Sequence, residues 1–363
     1  MQSQVLVGSK AFMDAFNSQA MDARKSLYVQ AMTFEGDSAG EQLIELMLDS
    51  PAKDKRLLID SFSKVVISDH FVFGPKYLKD KSFRQEIENT KALIRKAEDN
   101  GIQVKYTNPV GFLMSKYPLR NHKKMMIVDR RVSYIGGINF SDHNFDWHDM
   151  MIELDDESVG GSLSEDFLAT WSGKNQNRKI QLENGALYFF NGSRSEMLYQ
   201  DFFTHFETAQ KEIKVISPYV SEPLLGELKK ASRRGVEVTI ISPSENNKGL
   251  FQDYLQQENS KGYFNLLHYP GMFHLKSVLI DGKKLIFGSS NYDLVSYHFE
   301  QEVVMVSEDK ELVEKFIRMV SEPMTTESSQ PEFSSYSSLK SKYTMKLLKG
   351  FCQFSSKTFL KPI

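Results

Sequence analysis

Short apolar runs alternate along the chain with stretches whose apolar residues recur at helical spacing. SLYVQAMTF (26–34), RLLIDSF (56–62), IQVKYT (102–107), EIKVISPYV (212–220) and VEVTIIS (236–242) predict strands. SAGEQLIELMLDS and SFRQEIENTKALIRKAEDNG, lying between them, predict helices, the second stopping at Asn100-Gly101. Strands and helices in this alternation predict an α/β fold.

The chain also repeats itself. ARKSLYVQAMTF from Ala23 matches AQKEIKVISPYV from Ala209, and each copy continues into a helix and a further strand. Downstream, HKKMMIVDRRVSYIGGIN (122–139) aligns without a gap on HLKSVLIDGKKLIFGSSN (274–291), with His, Lys, Asp, Gly and Asn in register. The first copy is longer between these two landmarks. KVVISDHFVFGPKYLKD, starting at Lys64, is the candidate insertion, either a wall near a site or an ordinary packed excursion.

At 363 residues, the chain exceeds the usual size of one hydrophobic core, which fits two fused halves. Hydrophobic residues at 40% and charged residues at 25% describe a folded globular protein. A net charge of −2 supplies no overall basic field and weighs against a nucleic-acid-coating role. The single cysteine, Cys352, excludes an internal disulfide and fits a reducing compartment. Neither a secretory signal pattern nor an apolar stretch of about 18 residues is found, so membrane contact is expected to be peripheral and the location cytoplasmic. The chain closes on a Ser-rich linker (325–338) and a segment that mixes lysines with Tyr343, Phe351, Phe354 and Phe359 and has no acidic residue. Such a segment suits an anionic lipid interface, and equally a helix packed on its own domain.

Breaking a phosphodiester needs a nucleophile, a proton for the leaving oxygen, and positive or donor groups around the nonbridging oxygens. Each repeat supplies such a kit. On a strand, His122 and Lys124 would leave one face, as would His274 and Lys276. If the halves meet about a pseudo-twofold axis, one neutral imidazole attacks phosphorus while the other protonates the leaving alcohol, and the two exchange roles in the second step. Lys124, Lys276, Asn139 and Asn291 would hold the anionic oxygens, with no metal or other cofactor required. Gly137 and Ser289, small residues after the apolar strands, would let backbone approach a bound phosphate.

Both segments resemble the H-x-K-x4-D motif with its trailing G-[GS]-x-N that defines the phospholipase D superfamily, over a span from about Ala23 to about Val306. GGINFSDHNFDWHDMMIEL and GSSNYDLVSYHFEQE further resemble bacterial cardiolipin synthases and related phosphatidyltransferases. The resemblance implies two fused α/β/α halves with mixed sheets, related by a pseudo-twofold axis, and a single active site at their interface. It implies a phosphohistidine intermediate, with His122 as nucleophile and His274 as general acid, an order the symmetric motif itself leaves open. It also implies that Asp149 and Glu302 orient and charge the histidines, and that Asp129 and Asp281 are supports more than catalysts. The synthases usually carry N-terminal membrane spans; with none in this sequence, the basic tail becomes the expected substitute.

Expected boundaries are 1–182 for the first half, 183–323 for the second and 324–363 for linker and tail. The expected substrate is a phospholipid such as phosphatidylglycerol, with an alcohol or water as acceptor, and a monomer suffices because the repeat is internal. Two alternatives remain, a metal-independent nuclease or phosphodiesterase of the same superfamily and a non-catalytic lipid-binding protein. Asp142, His143, Asp146, His148 and Asp149 could be taken for a metal site, but their spacing fits a solvated loop with Asp149 turned inward. NPVGFLMSKYPLR (108–120) leads directly into His122 and reads either as a buried loop over the core or as an exposed apolar mouth.

Overall fold

In the central strand of the first half, Leu27, Val29 and Ala31 face one way and Tyr28 the other, and both faces are buried. A strand of this kind must be covered by helices on both sides. In the computed structural model, which describes residues 2–77, 79–192, 194–331 and 338–358, it is. The chain divides into two units, Met1–Asn175 and Gln176–Ile363.

The first unit is built on strands β1 (Gln2–Val7), β2 (Ser26–Ala31), β3 (Asp54–Asp60), β4 (Gln103–Thr107), β5 (Met125–Val128), β6 (Val132–Gly136) and β7 (Met150–Asp155). They form one sheet in the order β1-β7-β6-β5-β2-β3-β4. β2, β3 and β4 run parallel, and the remaining neighbours are antiparallel. Helices α1 (Ser9–Asp22), α2 (Ser38–Asp49) and α3 (Lys81–Asp99) share a core with Leu27, Val29 and Ala31. On the opposite face, Tyr28 stacks on Phe167 of α4 (Glu157–Trp171) at 4.8 Å, completing an α/β/α sandwich. A one-residue slip of β2 would exchange these two sets, so the alternation sets its register.

The second unit has β8 (Arg178–Leu182), β9 (Gly185–Asn191), β10 (Glu212–Ile216), β11 (Glu237–Pro243), β12 (Asn265–Tyr269), β13 (Ser277–Ile280), β14 (Lys284–Gly288) and β15 (Glu300–Ser307), in the order β8-β9-β15-β14-β13-β10-β11-β12. From β9 onward this is the order of the first unit, strand for strand, again with three parallel members (β10, β11, β12). Helices α5 (Glu196–Glu207), α6 (Leu224–Arg233) and α7 (Gly249–Asn259) occupy the places of α1, α2 and α3. The expected mixed-sheet α/β halves are therefore both present.

β8 pairs with β9 from Arg178↔Phe189 to Leu182↔Gly185, so residues 178–182 lie in the sheet of the second unit. The additional residues of the first copy are not a single insertion. Some lie between β3 and α3, where Val66–Ile67 and His70–Phe71 form a small hairpin. Others lengthen α3 to 19 residues against 11 in α7, and the rest extend the loop after β4. The helix stop was legible: α3 ends at Asp99, and Gly101 takes φ 88°.

In the tail, α8 (Leu294–Phe299) and α7 receive a final helix, which follows α9 (Lys310–Phe316) in the chain. This helix, α10 (Ser338–Thr358), buries Ser341, Met345, Cys352 and Ser355 and exposes Tyr343, Leu347, Phe351 and Phe354. The expected packing of the tail as a helix on its own domain is thus present on one face, and the other face is exposed. Residues 332–337 of the Ser-rich linker, and Phe359, lie outside the described residues.

Candidate functional site

His122 and Lys124 sit in an irregular segment immediately before β5, and His274 and Lys276 in the matching segment before β13. The strands begin later than the sequence suggested. In each unit the lysine folds back instead: Lys124 Nζ donates to the His122 carbonyl at 2.8 Å, and Lys276 Nζ donates to the His274 carbonyl. The same local contact arises twice, keeping each ammonium beside its histidine. All four residues are buried. Between the first pair, Lys123 points away into a buried ion pair with Asp166 of α4 at 2.6 Å, where the second unit has the buried Leu275. That difference marks position 123 as structural.

Asp129 and Asp281 occupy turns with φ of 52° and 54°. Asp129 accepts the backbone N–H groups of Arg24, Lys25 and Ser26, and Asp281 those of Gln210, Lys211 and Glu212, all at 2.7–3.0 Å. Partial burial opposes the charged form of each carboxylate, but three amide donors outweigh it and hold both below the usual carboxylate range. These aspartates anchor the starts of β2 and β10 and touch none of the other kit residues through the bonds described.

Asp149 and Glu302 are equivalent by register, because Gly137 N bonds to Met150 O and Ser289 N to Val303 O. Both acids are buried. A Cβ at Gly137 would lie 2.4 Å from Asp149 Oδ1, so only glycine leaves room for that carboxylate. In the second unit Ser289 Oγ donates to Glu302 Oε2. The small residues expected to cradle phosphate therefore seat the acids. Asn139 Oδ1 accepts Thr33 N at 3.2 Å, whereas Asn291 Oδ1 has no hydrogen-bond partner among the described residues.

The sequence reading missed a carboxylate cluster in the second unit. Ser296 Oγ lies 2.8 Å from Glu300 Oε2 and 2.9 Å from Glu302 Oε1. A hydroxyl carries one proton, so it donates to only one of them. Asp293 caps α8 through Ser296 N, and burial, reinforced by Glu300, pushes it up to about 7. The first unit has no matching serine and acid pair at this position, and with no repeat to flag it the cluster left no signal in the sequence. Tyr219 was also passed over; its ring meets the His274 ring edge-on at 6.2 Å, and its hydroxyl donates to Asn247. In the first unit Asp60 accepts from Arg120 Nη1, Asn121 N and Phe62 N, which ties down the segment entering His122.

The Asp142 to Asp149 stretch does not gather as a ligand set. Asp142 accepts Ser38 Oγ and Ala39 N at the start of α2, while Asp149 lies beneath Gly137. The acids that do approach one another in this unit are Glu35, Asp37 and Glu86. Burial pushes Glu35 up to about 8.

Comparison with known proteins places this arrangement. Residues 17–171 and 202–322 match the family described as "Cardiolipin synthase, PLD-like domain". The chain is 23% identical over 340 residues to a probable cardiolipin synthase of Bacillus subtilis, covering 84% of this chain and 62% of that protein. It is 25% identical over 246 residues to cardiolipin synthase A of Pectobacterium carotovorum, covering 60% and 50%. The chain thus spans less than two thirds of the length of these curated relatives. Among solved structures, phosphatidylserine synthase of Haemophilus influenzae shares the fold with a TM-score of 0.71 at 15% identity, covering 99% of this chain and 94% of that one. Polyphosphate kinase of Porphyromonas gingivalis follows at 0.58 and 11% identity, covering 97% and 56%. With more than half of its residues matched, the chain belongs to the cardiolipin synthase family of phospholipase D-like proteins.

Proposed function

We propose that the chain is a phosphatidyltransferase, with phospholipase D hydrolysis as its reaction when water replaces the alcohol. His122 attacks the phosphorus of a phospholipid such as phosphatidylglycerol, forming a P–N bond as the P–O bond to the headgroup alcohol breaks. His274 gives its proton to that leaving oxygen. In the second step the acceptor hydroxyl loses its proton to His274 and attacks phosphorus, and the P–N bond breaks. Lys124, Lys276, Asn139 and Asn291 hold the nonbridging oxygens, and no resident metal takes part. Asp149 and Glu302 orient the imidazoles and favour their charged form.

The observation that carries this reading is the duplication of one buried kit: His, a lysine bonded to the His carbonyl, Asn, and a register-equivalent acid. One chain holds both copies, so a monomer is sufficient. No helix of the described residues is long and apolar enough to cross a membrane, and we assign attachment to peripheral contact, including the exposed face of α10 with Tyr343, Leu347, Phe351, Lys346 and Lys349.

Incubation with phosphatidylglycerol, with and without an added primary alcohol, followed by mass spectrometry of the products tests the reading. Cardiolipin or the new phosphatidyl alcohol is the expected product. Phosphatidic acid alone would reduce the activity to hydrolysis, and unchanged lipid would overturn the proposal.

A further inference from the structure

Phe112 and Leu113 are 85% and 84% exposed, and Phe73 is 69% exposed, in a unit whose other large apolar side chains are mostly buried. These residues come from two segments, the loop after β4 and the hairpin region after β3. Tyr117 joins them, its ring packing 5.6 Å from Phe71 and 6.0 Å from Phe62. The loop is a shaped tip. Leu113 and Met114 take φ of 47° and 58°, a left-handed conformation that non-glycine residues adopt only when held there. Bonds from Met114 N to Gly111 O, Ser115 N to Phe112 O, Lys116 N to Val110 O and Tyr117 N to Met114 O hold it. Four backbone bonds thus fix a turn whose outermost side chains are the most apolar ones.

The surrounding charge is one-sided. Lys64, Lys76, Lys79, Lys81 and Lys116 are exposed on these two segments. The exposed acids are Asp69 and Asp80, and Asp80 is engaged as the N-cap of α3. Apolar side chains projecting from a ring of lysines fit a surface with an anionic outer layer and a hydrocarbon interior. An apolar protein groove would satisfy the phenylalanines but not the cations.

We propose that Phe71, Phe73, Phe112 and Leu113 form a lipid-inserting edge that docks the first unit on an anionic bilayer, leading into the His122 segment seven residues after the tip's Ser115. The choice of lipid as occupant rests on the phospholipid reading above; the insertion itself does not require turnover. Because the tip is preformed, docking loses little conformational freedom.

Vesicle flotation of the full chain tests this, using phosphatidylcholine vesicles with and without phosphatidylglycerol. The variant is Phe112→Ser with Leu113→Asn, since asparagine tolerates the left-handed backbone and neither side chain is buried. The parent should float with the phosphatidylglycerol vesicles, and the variant should partition at least about tenfold less. Its melting temperature and its turnover of a monomeric short-chain phospholipid should match the parent's. Equal flotation of variant and parent, or failure of the parent to float, would overturn the proposal and turn attention to a protein occupant. If the parent floats and the variant does not, while neither turns over any phospholipid, the docking edge stands and the catalytic reading fails.

Discussion

Asp129 and Ser26 exchange two hydrogen bonds: Ser26 N donates to Asp129 Oδ1 at 2.8 Å, and Asp129 N donates to Ser26 O at 2.9 Å. Asp281 and Glu212 repeat the exchange at 3.0 and 2.9 Å. A motif residue shared by both halves is thus a clasp between the β5–β6 or β13–β14 turn and the start of a central strand.

Asp129→Ala and Asp281→Ala should each cost about 2 kcal/mol of stability, because three amides lose a charged acceptor. That corresponds to a melting temperature lower by roughly 4–8 °C for a unit of this size. Turnover per folded molecule should stay within a few-fold. Because the folded-state value is lowered, the clasp is at full strength above the unfolded carboxyl value of about 3.9 and is lost as pH falls through the folded value. The gap between parent and variant should therefore close in acid, and a gap that persists there would refute the clasp.

Asp293 has the opposite sign. Its folded-state value is raised to about 7, by burial first and then by Glu300, with Glu302 adding and Lys248 opposing. The stability it contributes is complete below about pH 4 and is lost as pH rises through about 7. Asp293→Asn keeps an oxygen to cap α8 through Ser296 N but carries no charge. The variant should melt several degrees above the parent at pH 8 and match it near pH 4. A variant less stable than the parent at pH 8 would contradict a raised Asp293.

Gly137→Ala places a methyl 2.4 Å from Asp149 Oδ1, and the buried acid must move. Overpacking of this kind costs about 1–3 kcal/mol. Turnover should fall by more than the folded fraction does. Wild-type turnover in a stably folded variant would show that Asp149 need not be where it is.

His122→Ala and His274→Ala should each lower turnover by on the order of 10³ or more, since each removes a group that the proposed mechanism uses in both chemical steps. Chelators should leave the parent's rate unchanged. Inhibition by EDTA that a divalent ion reverses would direct attention to Glu35, Asp37 and Glu86.

On α10, changing Tyr343, Phe351 and Phe354 to serine should weaken flotation with anionic vesicles without lowering the melting temperature, because the packed face uses Met345 and Cys352 instead. High salt should weaken binding of the parent as well, through screening of the lysines.

The sequence by itself determined the α/β order and the duplication, since His, Lys, Asp, Gly and Asn at matched spacing need only local alignment to be seen. The expected division of labour between Asp149 and Glu302 on one side and Asp129 and Asp281 on the other came from the family resemblance. What the sequence could not contain were relations that the repeat does not share. The three-way cluster of Asp293, Glu300 and Glu302 on Ser296 forms because α8 packs at the start of β15. The exposure of Phe112 and Leu113 goes with a turn in which Leu113 and Met114 take a left-handed conformation that their residue types disfavour. The boundary after Asn175 is set by a β8–β9 ladder. Each of these depends on burial and backbone pairing, which only the tertiary structure decides.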